Sequence, residues 1–236
     1  MIICEIVAGG TGMRMGNTVP KQFLMIDEQP IIVRTLKAFI KSGIIDSYVI
    51  CAPIDYLDKT REILEEYNCC SGDIHIVAGG KCRNESVFNG CKYIKSSFDI
   101  SNDDIITTHD AVRPFISPDV IVKNIELAKK HAAVSTVVPC VDTIMSSKDG
   151  SFAYDIPDRD CLFRVQTPQT FSFTLLWDIL NSASDDELLK YSDTAGLAMS
   201  RGIKVALVRG EDSNIKITTP FDIAVAENIC ADSQPV

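Results

Sequence analysis

The sequence predicts an α/β protein built on a doubly wound, mostly parallel sheet, and three features carry that expectation. Short runs rich in Ile and Val alternate with segments of helical spacing through the first 141 residues. A glycine-dense loop follows the first of these runs, where such sheets present their strand ends to ligands. Hydrophobic residues make up 46% and charged residues 23% of the 236, the balance of a globular chain.

Ile2–Ala8 is the first strand, and a loop runs from Gly9 to Gln22. The N-terminus lacks the basic stretch of a signal peptide and reads as part of that buried strand. Pro30 opens an amphipathic helix with Ile31, Thr35, Leu36 and Phe39 on one face. Ser47–Ala52 is a strand, Tyr56–Tyr67 a helix and Ile74–Ala78 a strand. Arg83–Lys95 is a helix whose apolar side carries Val87, Cys91 and Ile94. Ile105–His109 is the next strand. Pro118–His131 is a helix with Ser117 as N-cap and Pro118 in the first turn, and Ser135–Val141 a further strand.

The rhythm then changes. Thr143–Ser147 and Phe152–Ile156 flank Asp149-Gly150, the chemistry of an antiparallel hairpin. Such a ribbon has no partner inside a parallel sheet, so it either projects to pair with another subunit or folds back on its own domain. Lys204–Val208 is a last strand, and Thr219 caps a final helix that begins at Pro220. No repeat or linker divides the chain. Residues 1–236 read as one domain, with the hairpin over about residues 142–160.

Composition narrows the function classes. Against 32 acidic residues stand 23 Lys and Arg, a net charge of −9, the wrong sign for a nucleic-acid partner. No apolar run reaches the ~18 residues a membrane helix needs. The nine cysteines are scattered without a CxxC, the pattern of reduced thiols used as small core residues in a cytoplasmic setting. With three dispersed histidines, no structural zinc site is expected.

The segment most informative about chemistry is Ala8-Gly9-Gly10-Thr11-Gly12-Met13-Arg14-Met15-Gly16, followed by Pro20-Lys21-Gln22. Glycines let backbone N–H groups approach a phosphate closely. The spacing is neither a dinucleotide fingerprint nor a Walker loop, since Met15 stands where GxGxxG needs glycine. Arg14 and Lys21 add two cations to the same loop, which points to a phosphorylated ligand. Ala8, Gly9, Gly10 and Gly12 would bring the backbone close to that ligand.

Gly-Gly-x-Gly-x-Arg-Met with Pro-Lys-Gln resembles the sugar-nucleotide pyrophosphorylases and nucleotidyltransferases. Further segments resemble the polyol-phosphate cytidylyltransferases within them: 79–87 (GGKCRNESV), 109–115 (HDAVRPF), 166–171 (QTPQTF) and 214–220 (NIKITTP). Together they span nearly the whole chain in order. The resemblance implies a Rossmann-like fold of the nucleotide-diphospho-sugar transferase type. It also implies transfer of CMP from CTP to a polyol phosphate, with release of pyrophosphate. Two branches compete for the acceptor, D-ribitol 5-phosphate and 2-C-methyl-D-erythritol 4-phosphate. Val7-Ala8-Gly9-Gly10, Arg83-Asn84-Glu85 and Asp155-Ile156-Pro157 resemble the ribitol branch. Ser192-Asp193-Thr194-Ala195 and Lys81 depart from its pattern.

That reaction brings two anions together, so its site must gather positive charge and a metal. Arg14 and Lys21 would cradle the triphosphate and transition state, and Lys216 would neutralise phosphate from the other side. By itself Lys216 also fits a solvated position on a short strand. Asp110, at the end of a buried strand, suits Mg²⁺, a hard cation that favours oxygen ligands; its other reading is a capping aspartate before Arg113-Pro114. No general base is needed, because the nucleophile is already an anionic phosphate, so His109 is not assigned as one. By resemblance, Gly80 and Ser86 read the cytosine, and Asp110 and Ala111 meet the nucleotide. Arg113, Thr143, Arg159 and Thr167 match the polyol-phosphate positions. In the family the counterparts of Thr143 and Arg159 come from a neighbouring subunit, which implies a homodimer with composite sites. For Arg159 alone the default is a surface pair with Asp158 or Asp160.

Two other readings compete. Asp158-Arg159-Asp160 satisfies the short metal motif of nucleotide-sugar glycosyltransferases, though such enzymes do not require the cationic glycine loop. A non-catalytic nucleotide-binding module would lack some of Arg14, Lys21, Asp110 and Lys216, and all four are present.

Overall fold

A computed structural model describes residues 1–10, 19–69 and 73–232. Strand β1 (Ile2–Val7) precedes the glycine loop. A 3₁₀ turn (Lys21–Phe23) then leads to a two-strand ribbon, β2 (Met25–Ile26) and β3 (Gln29–Pro30), and to α1 (Ile31–Ser42). Next come β4 (Ser47–Ala52), α2 (Leu57–Glu66), β5 (Ile74–Ala78), α3 (Arg83–Ser97), β6 (Ile105–Asp110), α4 (Pro118–Ala128) and β7 (Ala133–Pro139). The hairpin β8 (Ser146–Ser147) and β9 (Ala153–Asp155) follows, then β10 (Phe163–Ser172). The chain ends with α5 (Phe173–Asn181), α6 (Asp185–Lys190), α7 (Thr194–Ser200), β11 (Ala206–Arg209) and α8 (Pro220–Asp232).

Seven strands form one sheet in the order β11-β7-β10-β6-β1-β4-β5. All neighbours are parallel except β10, which runs antiparallel between β6 and β7. β1 and β4 are largely apolar, as burial on both faces demands, while β6 carries Thr107, Thr108, His109 and Asp110 into the same buried layer. On one face Leu36, Phe39, Ile63, Ile121 and Ile125 of α1, α2 and α4 pack. On the other lie Cys91, Ile94, Phe173, Leu176 and Leu197 of α3, α5 and α7. From β1 the chain steps outward to β4 and β5, then returns to β6 on the opposite side. That reversal opens a crevice between the carboxyl ends of β1 and β6, where Val7 pairs with Asp110.

One carboxylic acid breaks the apolar rule. Glu5 is fully buried in β1, where its Oε1 accepts a hydrogen bond from the Cys51 thiol at 3.0 Å. Gly90 of α3 makes the room, since a Cβ there would come within 2.4 Å of that oxygen. Burial pushes Glu5 up to about 8 despite the thiol and the field of Arg83.

Local signals in the sequence behave as their chemistry requires. Ser117 accepts from the Val120 N–H at the start of α4, and Gly43 closes α1 with a φ of 68°. Thr219 Oγ1 accepts from the Asp222 N–H while Asp222 accepts from the Thr219 N–H, a reciprocal cap of α8. Other boundaries differ from expectation. α4 stops at Ala128, β7 begins two residues earlier than predicted, and the last strand shifts to Ala206–Arg209. Lys216 sits on irregular backbone, not a strand. The hairpin forms around Asp149 and Gly150 but is shorter than predicted. It pairs only with itself among the described residues, and Phe152 (80%) and Tyr154 (65%) are exposed on it.

β10 and helices α5 to α7 are not anticipated by the sequence reading. Pro168 lies inside β10, and a proline argues against a central strand. It is accommodated where the register to β7 shifts between Val165 and Gln169, with the Thr167–Pro168 peptide cis. No described helix is long and apolar enough to cross a membrane.

Candidate active site

The crevice at the β1/β6 switch point is a cleft with two lobes that share Arg83, Asp110 and Lys216. Ala8, Gly9, Gly10, Lys21, Gly80 and Ser86 line the first lobe. Its shape follows from close backbone packing. A Cβ on Gly9 would meet Ser86 Oγ at 2.8 Å, so only glycine lets the two loops touch. Ser86 Oγ accepts from the Gly80 N–H at 2.9 Å and donates to the Cys82 carbonyl at 2.9 Å. Its single proton is therefore spent inside the loop, which makes Ser86 a positioning residue for residues 79–82. Glu85 adds a second tie by accepting from the Lys81 N–H at 2.7 Å.

Lys21 reaches this lobe through its neighbour. Gln22 is buried and donates from Nε2 to the Ala8 carbonyl at 2.7 Å, pinning the 3₁₀ turn against the end of β1. Gly12 and Arg14 lie outside the described residues.

Asp110 is the hub between the lobes. Arg83 Nε lies 2.8 Å from its Oδ1, Lys216 Nζ 2.7 Å from its Oδ2, and Arg113 Nε 3.8 Å from Oδ2. Burial opposes the charge, but Arg83, Lys216 and Arg113 together hold the carboxyl far below the usual carboxylate range. Lys216 is carried between two anchors. Asn214, buried, donates to Gln166 Oε1 at 3.1 Å and to the Thr167 carbonyl at 2.9 Å, and Ile217 donates its N–H to the Val112 carbonyl at 2.9 Å. Arg113 is held by the same segment, donating from Nη1 to the Asn214 carbonyl at 2.7 Å.

His109 lines neither lobe. It is fully buried, and burial lowers it to about 3, so the ring is neutral. Its Nε2 donates to the Arg113 carbonyl at 3.1 Å, which leaves Nδ1 to accept from the Thr167 hydroxyl at 3.1 Å. Thr167 in turn accepts from the Asp110 N–H at 3.1 Å, so this relay sets the position of Asp110.

Arg113 and Thr167 line the second lobe with Gln166, Gln169, Ser192 and Asp193. Ala111 lines neither; it is fully buried behind Asp110, its N–H bonded to the Val7 carbonyl and its carbonyl to Thr35 Oγ1. Thr143 and Arg159 are exposed beside the hairpin and line neither lobe of their own chain. Asp158 and Asp160 stand with them on a surface 3₁₀ turn, away from the cleft, which leaves the glycosyltransferase motif without a site.

Arg83 and Gln22 are among the site residues that sequence reasoning missed, although both lie inside motifs named above. No cluster of three or more His, Cys, Asp or Glu forms among the described residues. Asp110 is the carboxylate common to both lobes, and each of its oxygens faces a cationic side chain.

Comparison with known proteins agrees with the fold. The profile of a family described as IspD, 2-C-methyl-D-erythritol 4-phosphate cytidylyltransferase, matches residues 2–232. A ribitol-5-phosphate cytidylyltransferase of Lactiplantibacillus plantarum is 41% identical over 227 residues, covering 96% of this chain and 97% of that one. Among solved structures, 4-diphosphocytidyl-2C-methyl-D-erythritol synthase of Anaerococcus prevotii superposes with a TM-score of 0.82 at 31% identity, covering 98% of each chain. The 2-C-methyl-D-erythritol 4-phosphate cytidylyltransferase of Thermus thermophilus gives 0.76 at 27%, covering 98% of this chain and all of that one.

Proposed function

The chain belongs to the IspD family of cytidylyltransferases, and on that premise we propose that it transfers CMP from CTP to D-ribitol 5-phosphate, forming CDP-ribitol and pyrophosphate. The observation that carries the reaction is the Asp110 hub, which joins a glycine-walled lobe to a second lobe through Arg83 and Lys216. The 41% identity to a ribitol-5-phosphate enzyme over nearly the full chain supports the acceptor.

In this reading the triphosphate lies on the first lobe against Gly9, Gly10 and Lys21, with Arg14 and Gly12 from the same loop. An anionic phosphate oxygen of the acceptor attacks the α-phosphorus. A new P–O bond forms as the bond to the β-phosphate bridge breaks, and that electron pair leaves with pyrophosphate. No proton must be removed from the nucleophile. Lys21 and Lys216 stabilise charge that accumulates on the α-phosphoryl oxygens. Asp110 with the phosphates would hold Mg²⁺, which when bound supplies further neutralisation of the triphosphate. Gly80 and Ser86 shape the loop for the cytosine, and Arg113 with Thr167 receives the acceptor phosphate.

By resemblance to the family, Thr143 and Arg159 serve the site of a second copy of the chain, and their absence from the lining of their own cleft is compatible with that role. The exposed apolar side chains of Phe152, Tyr154 and Met145 on the hairpin support a homodimer built through that arm. The scattered cysteines, without a CxxC among them, support a reducing, cytoplasmic setting.

The test is pyrophosphate release from CTP with D-ribitol 5-phosphate and 2-C-methyl-D-erythritol 4-phosphate in parallel. A strong preference for ribitol 5-phosphate is expected, and the reverse preference would move the chain to the methylerythritol branch.

A further inference from the structure

The second lobe is asymmetric in charge. Asp110 presents Oδ2 to Lys216 and Arg113 on one side and Oδ1 to Arg83 on the other. Beyond Arg83 the lining turns acidic and neutral. Arg83 Nη1 donates to Thr194 Oγ1 at 3.1 Å, and the residues just before Thr194, Ser192 and Asp193, line the lobe. Asp193 is partly exposed there. One of its oxygens accepts from the Gly196 N–H at 2.7 Å, and no partner of the other is found among the described residues. A ligand with a phosphate at one end and a chain of hydroxyl groups at the other matches this gradient. The phosphate belongs with Lys216 and Arg113, and the hydroxyls belong beside a carboxylate that only accepts.

We infer that Asp193 is a specificity residue that accepts a hydrogen bond from a hydroxyl of the acceptor's polyol chain, with Ser192 beside it. The inference rests on the cytidylyltransferase reading and adds to it the group that recognises the uncharged end of the acceptor.

Asp193→Ser is the informative variant. Serine is as good an N-cap as aspartate, so the bond to Gly196 is replaced, but the side chain is too short to offer a second acceptor to the cleft. The variant should keep the melting temperature and the KM for CTP of the wild type. Its KM for D-ribitol 5-phosphate should rise roughly tenfold to hundredfold, as loss of a charge-assisted hydrogen bond does. Acceptors each lacking one hydroxyl then locate the contact. At one position, the wild type should lose as much as the variant does, and the variant should lose nothing further. An acceptor KM within about twofold of wild type, or additive losses at every deoxy position, would overturn the inference while leaving the reaction intact. A wild-type enzyme that releases no pyrophosphate with any polyol phosphate would overturn the reaction itself, and the inference with it.

Discussion

Lys216 Nζ and Asp110 Oδ2 stand 2.7 Å apart, although one comes from an irregular segment near the C-terminus and the other from the end of a central strand. The pair places an ammonium at the junction of the two lobes, held against a buried carboxylate. It remains 40% exposed, so it can meet an incoming phosphate.

Charge at that junction should appear in the chemical step. Lys21→Ala and Lys216→Ala are each expected to lower kcat on the order of 10²–10³, the loss typical of a missing electrostatic stabiliser. CTP binding should weaken much less for Lys216→Ala. Steady-state kinetics check this, and a kcat within about threefold of wild type would return Lys216 to a solvated role.

The contact between Gly9 and Ser86 predicts non-additive behaviour. Gly9→Ala should raise the KM for CTP, because its Cβ would come 2.8 Å from Ser86 Oγ. Ser86→Ala removes that oxygen, so the double variant should be less impaired at CTP binding than the two single losses combined. Simple addition would mean that the loops adjust independently.

Glu5 makes stability depend on pH. Burial raises it to about 8 in the folded state, against an ordinary value of 4.5. As pH rises between those values the unfolded chain releases a proton that the folded chain retains, so stability falls. The slope approaches about 1.4 kcal/mol per pH unit from this one group and ends once the folded form ionises. The groups facing Glu5 are the thiols of Cys51 and Cys91 and the guanidinium of Arg83. Urea unfolding from pH 5 to 9 should show Glu5→Gln losing less stability than wild type across that window. Parallel curves for the two proteins would show that Glu5 is ionised when buried.

Shared sites can be tested by mixing inactive chains. If Arg159 acts on the partner's acceptor, Arg159→Ala should raise the KM for the polyol phosphate and spare CTP. Mixed with inactive Lys21→Ala, it should regain activity, because each mixed dimer then holds one site with both defects and one with neither. No recovery, with subunit exchange verified independently, would assign the whole site to one chain.

Much of the scaffold was legible in order along the chain. β4 and β5 have the bounds their Ile and Val runs predict, and Ser117 and Thr219 cap the helices they precede. These are local properties, decided by periodicity and by hydrogen bonds a few residues long. The expectation of a phosphorylated ligand at the glycine loop is local in the same way, because glycine density and cations on one loop need no tertiary context to be noticed. β10 was not legible, since Pro168 disguises a strand that survives only because a register shift absorbs it. Helices α6 and α7, at six and seven residues, are too short for periodicity to register, and α5, at nine, spans less than the window that periodicity needs.

What the sequence by itself determined is therefore the set of elements and the chemical types available at strand ends. Only the tertiary structure decided which of them meet. Arg83, Asp110 and Lys216 converge because β6 lies beside β1, α3 starts over the same crevice, and Asn214 and Ile217 fasten the last segment to strand and loop backbone. Convergence of that kind depends on long-range packing and hydrogen bonds, which no window of sequence contains. Tertiary structure likewise decided that Thr143 and Arg159 line neither lobe of their own chain, beside a hairpin that pairs only with itself among the described residues.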